Sequence, residues 1–211
     1  MRLKIMGEEQ DNTPPGQANL QLAGYEVLLC AAGGIACYKS ADLTSKLVQA
    51  GAGVNVAMTE AATHFVGPLT FQALSQHQVF TSLWQGSQEH SPEHLSLTEA
   101  ADLMIIAPAT ANIIGKMASG IADDLVSTLA LSAGGACPIL VAPAMNSRMW
   151  SAPAVRANVE RLQQWPVHIV GPGEGRLACG SAGPGRMAEP AEILAAAGDL
   201  LRRNPPKNPR Q

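Results

Sequence analysis

Short apolar runs along the chain alternate with longer segments in which apolar residues recur at helical spacing. Buried strands are predicted from the runs YEVLLCAA (25–32), VNVAM (54–58), DLMIIAPA (102–109), CPILVAPA (137–144) and PVHIV (166–170). Helices are predicted where apolar residues return every three or four positions: from Ala36 to Ala50, and over about 123–133, 151–164 and 190–202. Strands and helices therefore alternate along most of the chain.

This alternation predicts a single α/β domain over residues 24–201, with a doubly wound parallel sheet of the flavodoxin-like or Rossmann-like class. The polar segment 1–23 is expected to form a disordered N-terminal tail. The segment 202–211, RRNPPKNPRQ, is expected to form a solvated basic C-terminal tail rich in proline. No apolar stretch approaches the ~18 residues of a membrane span, so no membrane partner is expected.

Two of the predicted strands end in nearly the same way. One ends IIAPATAN and the next LVAPAMN, so that each breaks at a proline and then presents small residues and an asparagine, Asn112 or Asn146. Ligands of open parallel sheets bind beyond the carboxyl ends of the strands. Small residues let a flat ligand approach the backbone, and an amide both donates and accepts hydrogen bonds. A ligand site between these ends is therefore expected, although each motif alone also fits a simple strand terminator.

Composition narrows the class of partner. The 211 residues include 14 basic and 17 acidic side chains, a net charge of −3, which gives no basic field for a nucleic acid. The cysteines Cys30, Cys37, Cys137 and Cys179 form no CxxC pair. Without a secretion signal in the sequence, free thiols and a cytoplasmic location are expected.

Two more strand ends carry candidate ligand contacts. The glycines of AAGGIACYKS precede a helix whose free N–H groups suit a phosphate or the edge of a flavin ring. That segment lacks both GxGxxG and GxxxxGK[ST], which argues against a dinucleotide or a nucleoside triphosphate. Thr59 follows the second strand and is either a phosphate or ribityl contact or an ordinary helix cap.

The histidines and acidic residues suggest little further chemistry. Their spacing predicts no metal site. Pro92 places His94 in the first turn of a helix, where the helix dipole favours a neutral imidazole and hence a base, although an ordinary surface histidine fits as well. No G-x-S-x-G elbow is present, and the pair Asp123-Asp124 is interpreted as a helix cap.

The segment GRLACGSAGPGRMAEP (175–190) surrounds Cys179 with glycine and proline. Such a sequence predicts a loop, either a lid that brings a thiol to a site or a surface turn with an incidental cysteine.

Taken together, these segments resemble the flavin-containing cysteine decarboxylases. APAMNSRMW (142–150) matches the P-x-M-N-x-x-M-W motif of that family at all five fixed positions, and APATAN resembles its P-x-S-A-N-T motif, with Ile113 in place of the final threonine. PLTFQALS (68–75) and HLSLTEAADLMIIAP also match, the latter aligning His94 with the active-site histidine. ACGSAGPGRMAEP resembles the substrate clamp of the phosphopantothenoylcysteine decarboxylases.

The resemblance implies FMN as cofactor, (R)-4'-phospho-N-pantothenoylcysteine as substrate, and an active site between the subunits of a homotrimer or homododecamer. It implies flavin contacts at Gly33, Gly34, Ile35, Thr59, Ala109, Thr110, Ala111, Asn112 and Ala144, and Ile113 puts one flavin hydrogen bond in doubt. It implies substrate contacts at Asn146, Met149, Arg176, Leu177 and Ala178.

The family chemistry explains why a flavin is needed. Direct loss of carbon dioxide from a cysteine carboxylate would leave an unstabilised carbanion, whereas oxidation at the thiol end creates an electron sink before decarboxylation. The resemblance gives catalytic roles to three residues: His94 as base or orienting group, Asn146 as carboxylate binder, and Cys179 as proton donor to the ene-thiolate.

Three alternatives follow from the same resemblance. Relatives that decarboxylate the C-terminal cysteine of lantibiotic precursors lack the cysteine clamp. Flavin prenyltransferases share the fold but not the P-x-M-N-x-x-M-W motif. Phosphatase-regulatory relatives would not need His94, Asn146 and Cys179 together, and all three are present here. Many bacterial relatives carry a fused ligase domain, so a separate ligase is expected.

Overall fold

The computed structural model describes residues 21–84, 93–176, 180 and 182–207. Within this part of the chain, six parallel strands form one sheet in the order β3-β2-β1-β4-β5-β6. The strands are β1 (Glu26–Ala31), β2 (Gly53–Met58), β3 (Val79–Phe80), β4 (Leu103–Ala109), β5 (Ile139–Pro143) and β6 (Val167–Ile169). This is the strand order of a doubly wound sheet, so the predicted α/β class is confirmed.

Helices cover both faces of the sheet. They are α1 (Cys37–Gln49), α2 (Glu60–Thr63), α3 (Pro68–Ser75), α4 (Glu93–Ala100), α5 (Ala111–Ser119), α6 (Leu125–Ala133), α7 (Ser147–Trp150), α8 (Pro153–Gln163) and α9 (Pro190–Leu201). One buried cluster joins the sheet to α1, α3 and α9, and a second joins it to α5, α6 and α8. The central strands β1 and β4 are buried on both faces, which explains why they read as continuous apolar runs.

The five predicted strands are all present, with ends shifted by at most two residues. Helices α3 and α5 and the two-residue edge strand β3 were not predicted as elements. The segment predicted as a loop around Cys179 is, in its described parts, an antiparallel hairpin of β7 (Gly173–Arg176) and β8 (Ala182–Arg186). That prediction was wrong because glycines without apolar alternation still pair when their backbones are extended.

The start of the predicted C-terminal tail contacts the domain. The Lys207 backbone N–H donates to Asp102 at 2.8 Å, and its Nζ donates to the carbonyls of Glu99 and Ala101 at 3.0 and 2.7 Å. Residues 1–20 and 208–211 lie outside the described residues, so the division into one domain and two tails stays a prediction.

Candidate functional site

A cleft of about 1220 Å³ opens at the carboxyl edge of the sheet, next to the point where the strand order reverses between β1 and β4. The segments after β1, β2, β4 and β5 and the β7/β8 hairpin all contribute to its wall. A doubly wound sheet places its ligand site at this edge, because the loops on either side of the reversal diverge there. The two similar strand ends, IIAPATAN and LVAPAMN, thus face one cavity, as the sequence predicted.

Backbone hydrogen bonds tie these strand ends to one another. Ala32 N–H donates to the Pro108 carbonyl at 3.2 Å, and Ala144 N–H donates to the Ala109 carbonyl at 2.9 Å. The prolines have no N–H of their own, so their strands end at the floor of the cleft, and small side chains follow. The floor of the cleft is consequently built from hydrogen-bonded backbone and small side chains.

Gly33 is the point of closest approach between two of these segments. A Cβ at Gly33 would lie 2.7 Å from the Ala61 backbone carbon and 2.9 Å from its carbonyl oxygen. The β1–α1 connection can therefore lie against the start of α2 only if residue 33 has no side chain.

No side chain caps the start of α1 at the wall of the cleft. Its N-cap residue is Ala36, whose methyl group cannot accept a hydrogen bond. Cys37 N–H and Lys39 N–H donate to the carbonyls of Gly34 and Ala36 at 3.0 and 2.9 Å, and the dipole of this 13-residue helix favours an anion at the cleft wall. A phosphate group of a cofactor fits this position.

Two threonines cap the helices that begin on the cleft floor. Thr59 Oγ1 accepts from Ala62 N–H at 3.2 Å, and Thr110 Oγ1 accepts from Ile113 N–H at 3.5 Å. Both residues also line the cleft. The alternatives of helix cap and ligand contact are thus compatible, because a hydroxyl that accepts from the helix keeps its proton free for donation.

Asn146 is held in one orientation at the end of β5. Its Oδ1 accepts from Met149 N–H at 2.9 Å as the N-cap of α7. The two side-chain N–H groups are therefore the part of the amide left for a ligand in the cleft. Trp150, the last residue of the motif, packs under the Arg156 guanidinium at 5.1 Å and fixes α7 against α8.

The β7/β8 hairpin forms a further wall of the cleft and brings two arginines to it, Arg176 and Arg186. Arg186 pairs with Glu189 at 2.8 Å, and the nearly buried Lys39 donates to the same carboxylate at 2.9 Å. The hydrogen bond from Lys39 lowers the pKa of Glu189. Two cations share one carboxylate here, which leaves this wall with excess positive charge.

On the other side of the cleft, Lys116 lies between two carboxylates. Its Nζ is 2.6 Å from Asp123 and 2.5 Å from Asp124. Burial alone would raise the pKa of Asp124, but hydrogen bonds from Lys116 and Ser127 outweigh it and lower that pKa. Asp124 also forms the capping box of α6 with Ser127, so the interpretation of this pair as a helix cap is confirmed for Asp124.

The described cysteines are not reactive groups of this cleft. Cys30, Cys37 and Cys137 are buried free thiols, and burial raises the pKa of each. The fourth, Cys179, lies outside the described residues, as do Leu177 and Ala178. The backbone of His94 lies in the first turn of α4, as predicted, while its side chain falls outside the described part of the chain.

The structure brings most of the remaining predicted site residues to one cavity. The cleft lining includes Gly33, Gly34, Ile35, Thr59, Thr110, Ala111, Asn112, Ala144, Asn146, Met149 and Arg176. Ala109 does not line it, because its side chain is fully buried and only its carbonyl supports β5. Ile113 lines the cleft and is 1 % exposed, so its side chain serves chiefly the core.

The charged residues of the cleft wall that sequence reasoning missed include Lys39, Lys116 and Arg186, and Lys39 and Arg186 both pair with Glu189 behind the wall. In the sequence, Lys39 and Lys116 look like solvated residues of helix faces. Lys39 is distinguished by its ion pair with Glu189, which is 150 residues away, and Lys116 by its ion pair with Asp124 across a turn. Both ion pairs are evident only in the folded chain. Among the described residues, no cluster of three or more His, Cys, Asp or Glu could hold a metal ion.

Comparisons with known proteins identify the family. Residues 16–201 match the Flavoprotein family. The chain belongs to the Flavoprotein family. This flavoprotein is 52% identical over 176 residues to the coenzyme A biosynthesis bifunctional protein CoaBC of Bacillus subtilis (strain 168), and 45% identical over 175 residues to that of Escherichia coli (strain K12). Each match covers 83% of this chain and 43% of the relative, so the chain spans less than half the length of these relatives.

Two solved structures are also similar to this flavoprotein. A mutant PPC decarboxylase in complex with pantothenoylaminoethenethiol superposes with a TM-score of 0.77 at 30% identity, covering 85% of this chain and 99% of that one. The FMN-dependent cysteine decarboxylase SpaF gives a TM-score of 0.74 at 30% identity, covering 87% and 98%. None of the described helices has the length and apolar character needed to cross a membrane.

Proposed function

We propose that this flavoprotein is an FMN-dependent decarboxylase that converts (R)-4'-phospho-N-pantothenoylcysteine to 4'-phosphopantetheine in coenzyme A biosynthesis. The observation that carries the proposal is Asn146, whose side-chain N–H groups are held toward the cleft by the cap that its Oδ1 makes. The names of the similar proteins, CoaBC and PPC decarboxylase, support the same substrate.

The cleft fits FMN. Gly33, Gly34, Ala111 and Ala144 leave room for a flat ring against the backbone, and the uncapped start of α1 suits the phosphate. Thr59 and Thr110 would donate to ribityl or ring oxygens while remaining helix caps. When bound, the flavin would supply the two-electron oxidation of the substrate that makes loss of carbon dioxide possible.

The residues of the chain would hold the substrate and move a proton. Asn146 would donate two neutral hydrogen bonds to the substrate carboxylate, which bind the anion without stabilising it as strongly as a cation would. Met149 and Arg176 also line the cleft, and Leu177 and Ala178 complete the proposed set of substrate contacts. His94 would act as base or orienting group, and Cys179 would protonate the ene-thiolate.

The proposed assembly is a homotrimer, or a dodecamer of such trimers, with each active site between subunits. Large apolar side chains at the mouth of the cleft support this: Ile35 is 61% exposed, Tyr38 60% and Met149 43%. An exposed apolar rim around a ligand site is typical of a surface that another subunit covers. We further propose a cytoplasmic location.

The test combines cofactor and product. Purified protein should be yellow, release FMN on denaturation, and convert (R)-4'-phospho-N-pantothenoylcysteine to carbon dioxide and 4'-phosphopantetheine. A peptide ending in cysteine, supplied in a parallel reaction, should not be decarboxylated. Decarboxylation of the peptide alone would replace the proposal with peptidyl-cysteine decarboxylation, and a colourless protein that releases no flavin would contradict it.

A further inference from the structure

The β7/β8 hairpin is seated directly on the backbone of the segment that carries Asn146. Met145 N–H donates to the Gly185 carbonyl at 2.9 Å, so the first residue beside Asn146 pairs with strand β8. The hairpin is otherwise a separate two-stranded sheet with no ladder to the main one. Lys39 anchors the segment after β8 through the Met187 carbonyl and Glu189, and the Met145 contact is the backbone hydrogen bond that places β8 itself beside Asn146.

Gly185 is required for that contact. A Cβ at this position would clash with the Met145 carbonyl oxygen, and its φ of +131° is one that side-chain-bearing residues rarely adopt. The clash is with backbone, which cannot rotate away as a flexible side chain could. Strand β8 thus approaches residues 145–146 as closely as it does only because residue 185 is glycine.

Gly183, two residues before Gly185 on strand β8, makes a second close approach to the same segment. A Cβ there would lie 2.8 Å from Ser147 Oγ, and its φ is +152°. Ser147 Oγ is itself buried under the hairpin and has no hydrogen-bond partner among the described residues. A buried hydroxyl without a partner is destabilising by about 1–3 kcal/mol, so the seated hairpin carries a built-in weakness at this contact.

We propose that Gly183 and Gly185 are positioning residues that hold the hairpin against residues 145–147, a contact called the seat below. The unpaired Ser147 hydroxyl weakens this contact. The seat sets the distance between Arg176 on strand β7 and the Asn146 amide across the cleft. The kinetic consequence of this inference rests on the proposed function, because Arg176 and Asn146 are proposed substrate contacts. The seat itself is a property of the folded chain without substrate.

Gly185→Ala tests the seat, and Gly173→Ala is the matched control. Gly173 lies in the same hairpin, its φ is ordinary, and a Cβ there would meet only the Arg186 carbonyl oxygen at 3.8 Å. Hydrogen exchange at the Met145 amide, measured without substrate, reports the seat because this amide donates to Gly185. We expect Gly185→Ala to accelerate that exchange about tenfold or more, and Gly173→Ala to leave it within about twofold.

Ser147→Ala tests the same seat in the opposite direction and carries no steric risk. Removing the unpaired hydroxyl should slow exchange at Met145 by about tenfold, and in the Gly183→Ala background it should recover part of the lost protection. Ser151→Ala, an exposed serine at the other end of α7, is the control and should have no effect. Faster or unchanged exchange in Ser147→Ala would overturn the role of Ser147.

Kinetics complete the test. With FMN content equal to wild type, Gly185→Ala should raise KM for the phosphopantothenoylcysteine substrate about tenfold, whereas Gly173→Ala should not. Unaltered exchange and KM in Gly185→Ala would overturn the seat. If the exchange results hold but wild-type protein decarboxylates no cysteine substrate, the seat stands and the proposed function fails.

Discussion

At the scale of single residues, the cleft uses the same side chains for local structure and for binding. Thr59, Thr110 and Asn146 each follow a strand, and each accepts a hydrogen bond from the first turn of the next helix. The cap fixes the position of the side-chain oxygen, and this also fixes the direction of the remaining hydrogen-bond donors of the side chain. For Asn146, the cap is the reason that the amide presents N–H groups rather than a carbonyl to a bound carboxylate.

Two substitutions separate these roles of Asn146. Asn146→Asp keeps an oxygen to cap α7 but removes both N–H donors and adds a negative charge, so the unfolding temperature should stay close to wild type while kcat/KM falls by about 100-fold or more. Asn146→Ala should lose both functions, with about 1 kcal/mol of stability lost in addition. Thermal unfolding and steady-state kinetics measure the two effects.

Asn146→Gln is the matched control, because it retains the amide but lengthens the side chain so that cap and donors no longer coincide. An Asn146→Asp variant that turns over at the wild-type rate would show that the amide N–H groups do not hold the carboxylate.

The sequence predicts most of the neutral residues of the site and none of its ion pairs. Asn112, Asn146 and the glycines stand out because strand-end motifs repeat along the chain. Lys39 gives no such signal, since its partner Glu189 is 150 residues away. A local pattern carries information about the next turn or strand, but pairing between distant charged groups is decided only by the tertiary fold.

At the scale of elements, the sheet was predictable because buried parallel strands are continuous apolar runs of distinct length. Helix α5 was missed because it is only nine residues long and includes a glycine. The hairpin was missed because strands β7 and β8 consist largely of glycine and polar residues, and eight of their nine positions are partly or fully exposed to solvent, so they show no apolar alternation. Both misses arise where the element is short and its burial depends on neighbours.

The connection between β1 and α1 depends on Gly33. Gly33→Ala should displace α2, because the new methyl would lie 2.7 Å from the Ala61 backbone, and overpacking of this kind is destabilising by about 1–3 kcal/mol. We expect a lower unfolding temperature and loss of bound FMN. Gly67→Ala, whose Cβ would have no atom within 4 Å, should unfold within about 1 kcal/mol of wild type and keep its flavin.

Thermal unfolding of flavin-free and flavin-loaded protein gives both readouts. Retention of FMN by Gly33→Ala at the wild-type affinity would show that the close approach at residue 33 does not shape the flavin site.

The connection between α5 and α6 should respond to acid. The pKa of Asp124 is lowered in the folded state, since its hydrogen bonds from Lys116 and Ser127 outweigh the opposing effect of burial. Its contribution to stability is therefore present above the unfolded pKa of about 3.9 and is lost as the pH falls through the folded value. Asp124→Asn keeps an acceptor for the cap but not the ion pair.

We expect Asp124→Asn to lower the free energy of unfolding by about 1 kcal/mol at pH 7 and by progressively less below about pH 4. Asp42→Asn removes an exposed pair with Lys46 and should cost only a few tenths of a kcal/mol. Denaturant unfolding across this pH range measures the difference. A deficit that stays constant down to pH 2 would assign the effect of Asp124 to the cap instead of to its charge.

At the scale of the whole molecule, two of the exposed apolar regions on the described surface border a cavity. One is the mouth of the cleft, with Ile35 and Tyr38. The other is a groove of about 200 Å³ on a different face, lined by Ile121, Leu131 and Trp165. Exposed apolar area of this kind marks contact surfaces. Only the first region adjoins the proposed flavin site. FMN binding should therefore depend on a subunit contact at the mouth of the cleft, but not on a subunit contact at the groove.

Tyr38→Glu should dissociate the proposed trimer and release FMN in the same variant. The new carboxylate would be desolvated if another subunit covered the mouth, and an unpaired buried charge is destabilising enough to separate subunits. Leu131→Glu places an equal charge in the groove, away from the cleft, and should leave both the trimer and its flavin intact. Light scattering gives the mass of each variant, and flavin absorbance per chain gives its occupancy. If Leu131→Glu instead dissociates the trimer but keeps FMN, and Tyr38→Glu remains a flavin-loaded trimer, subunits meet through the groove, and the cleft binds its cofactor within one chain.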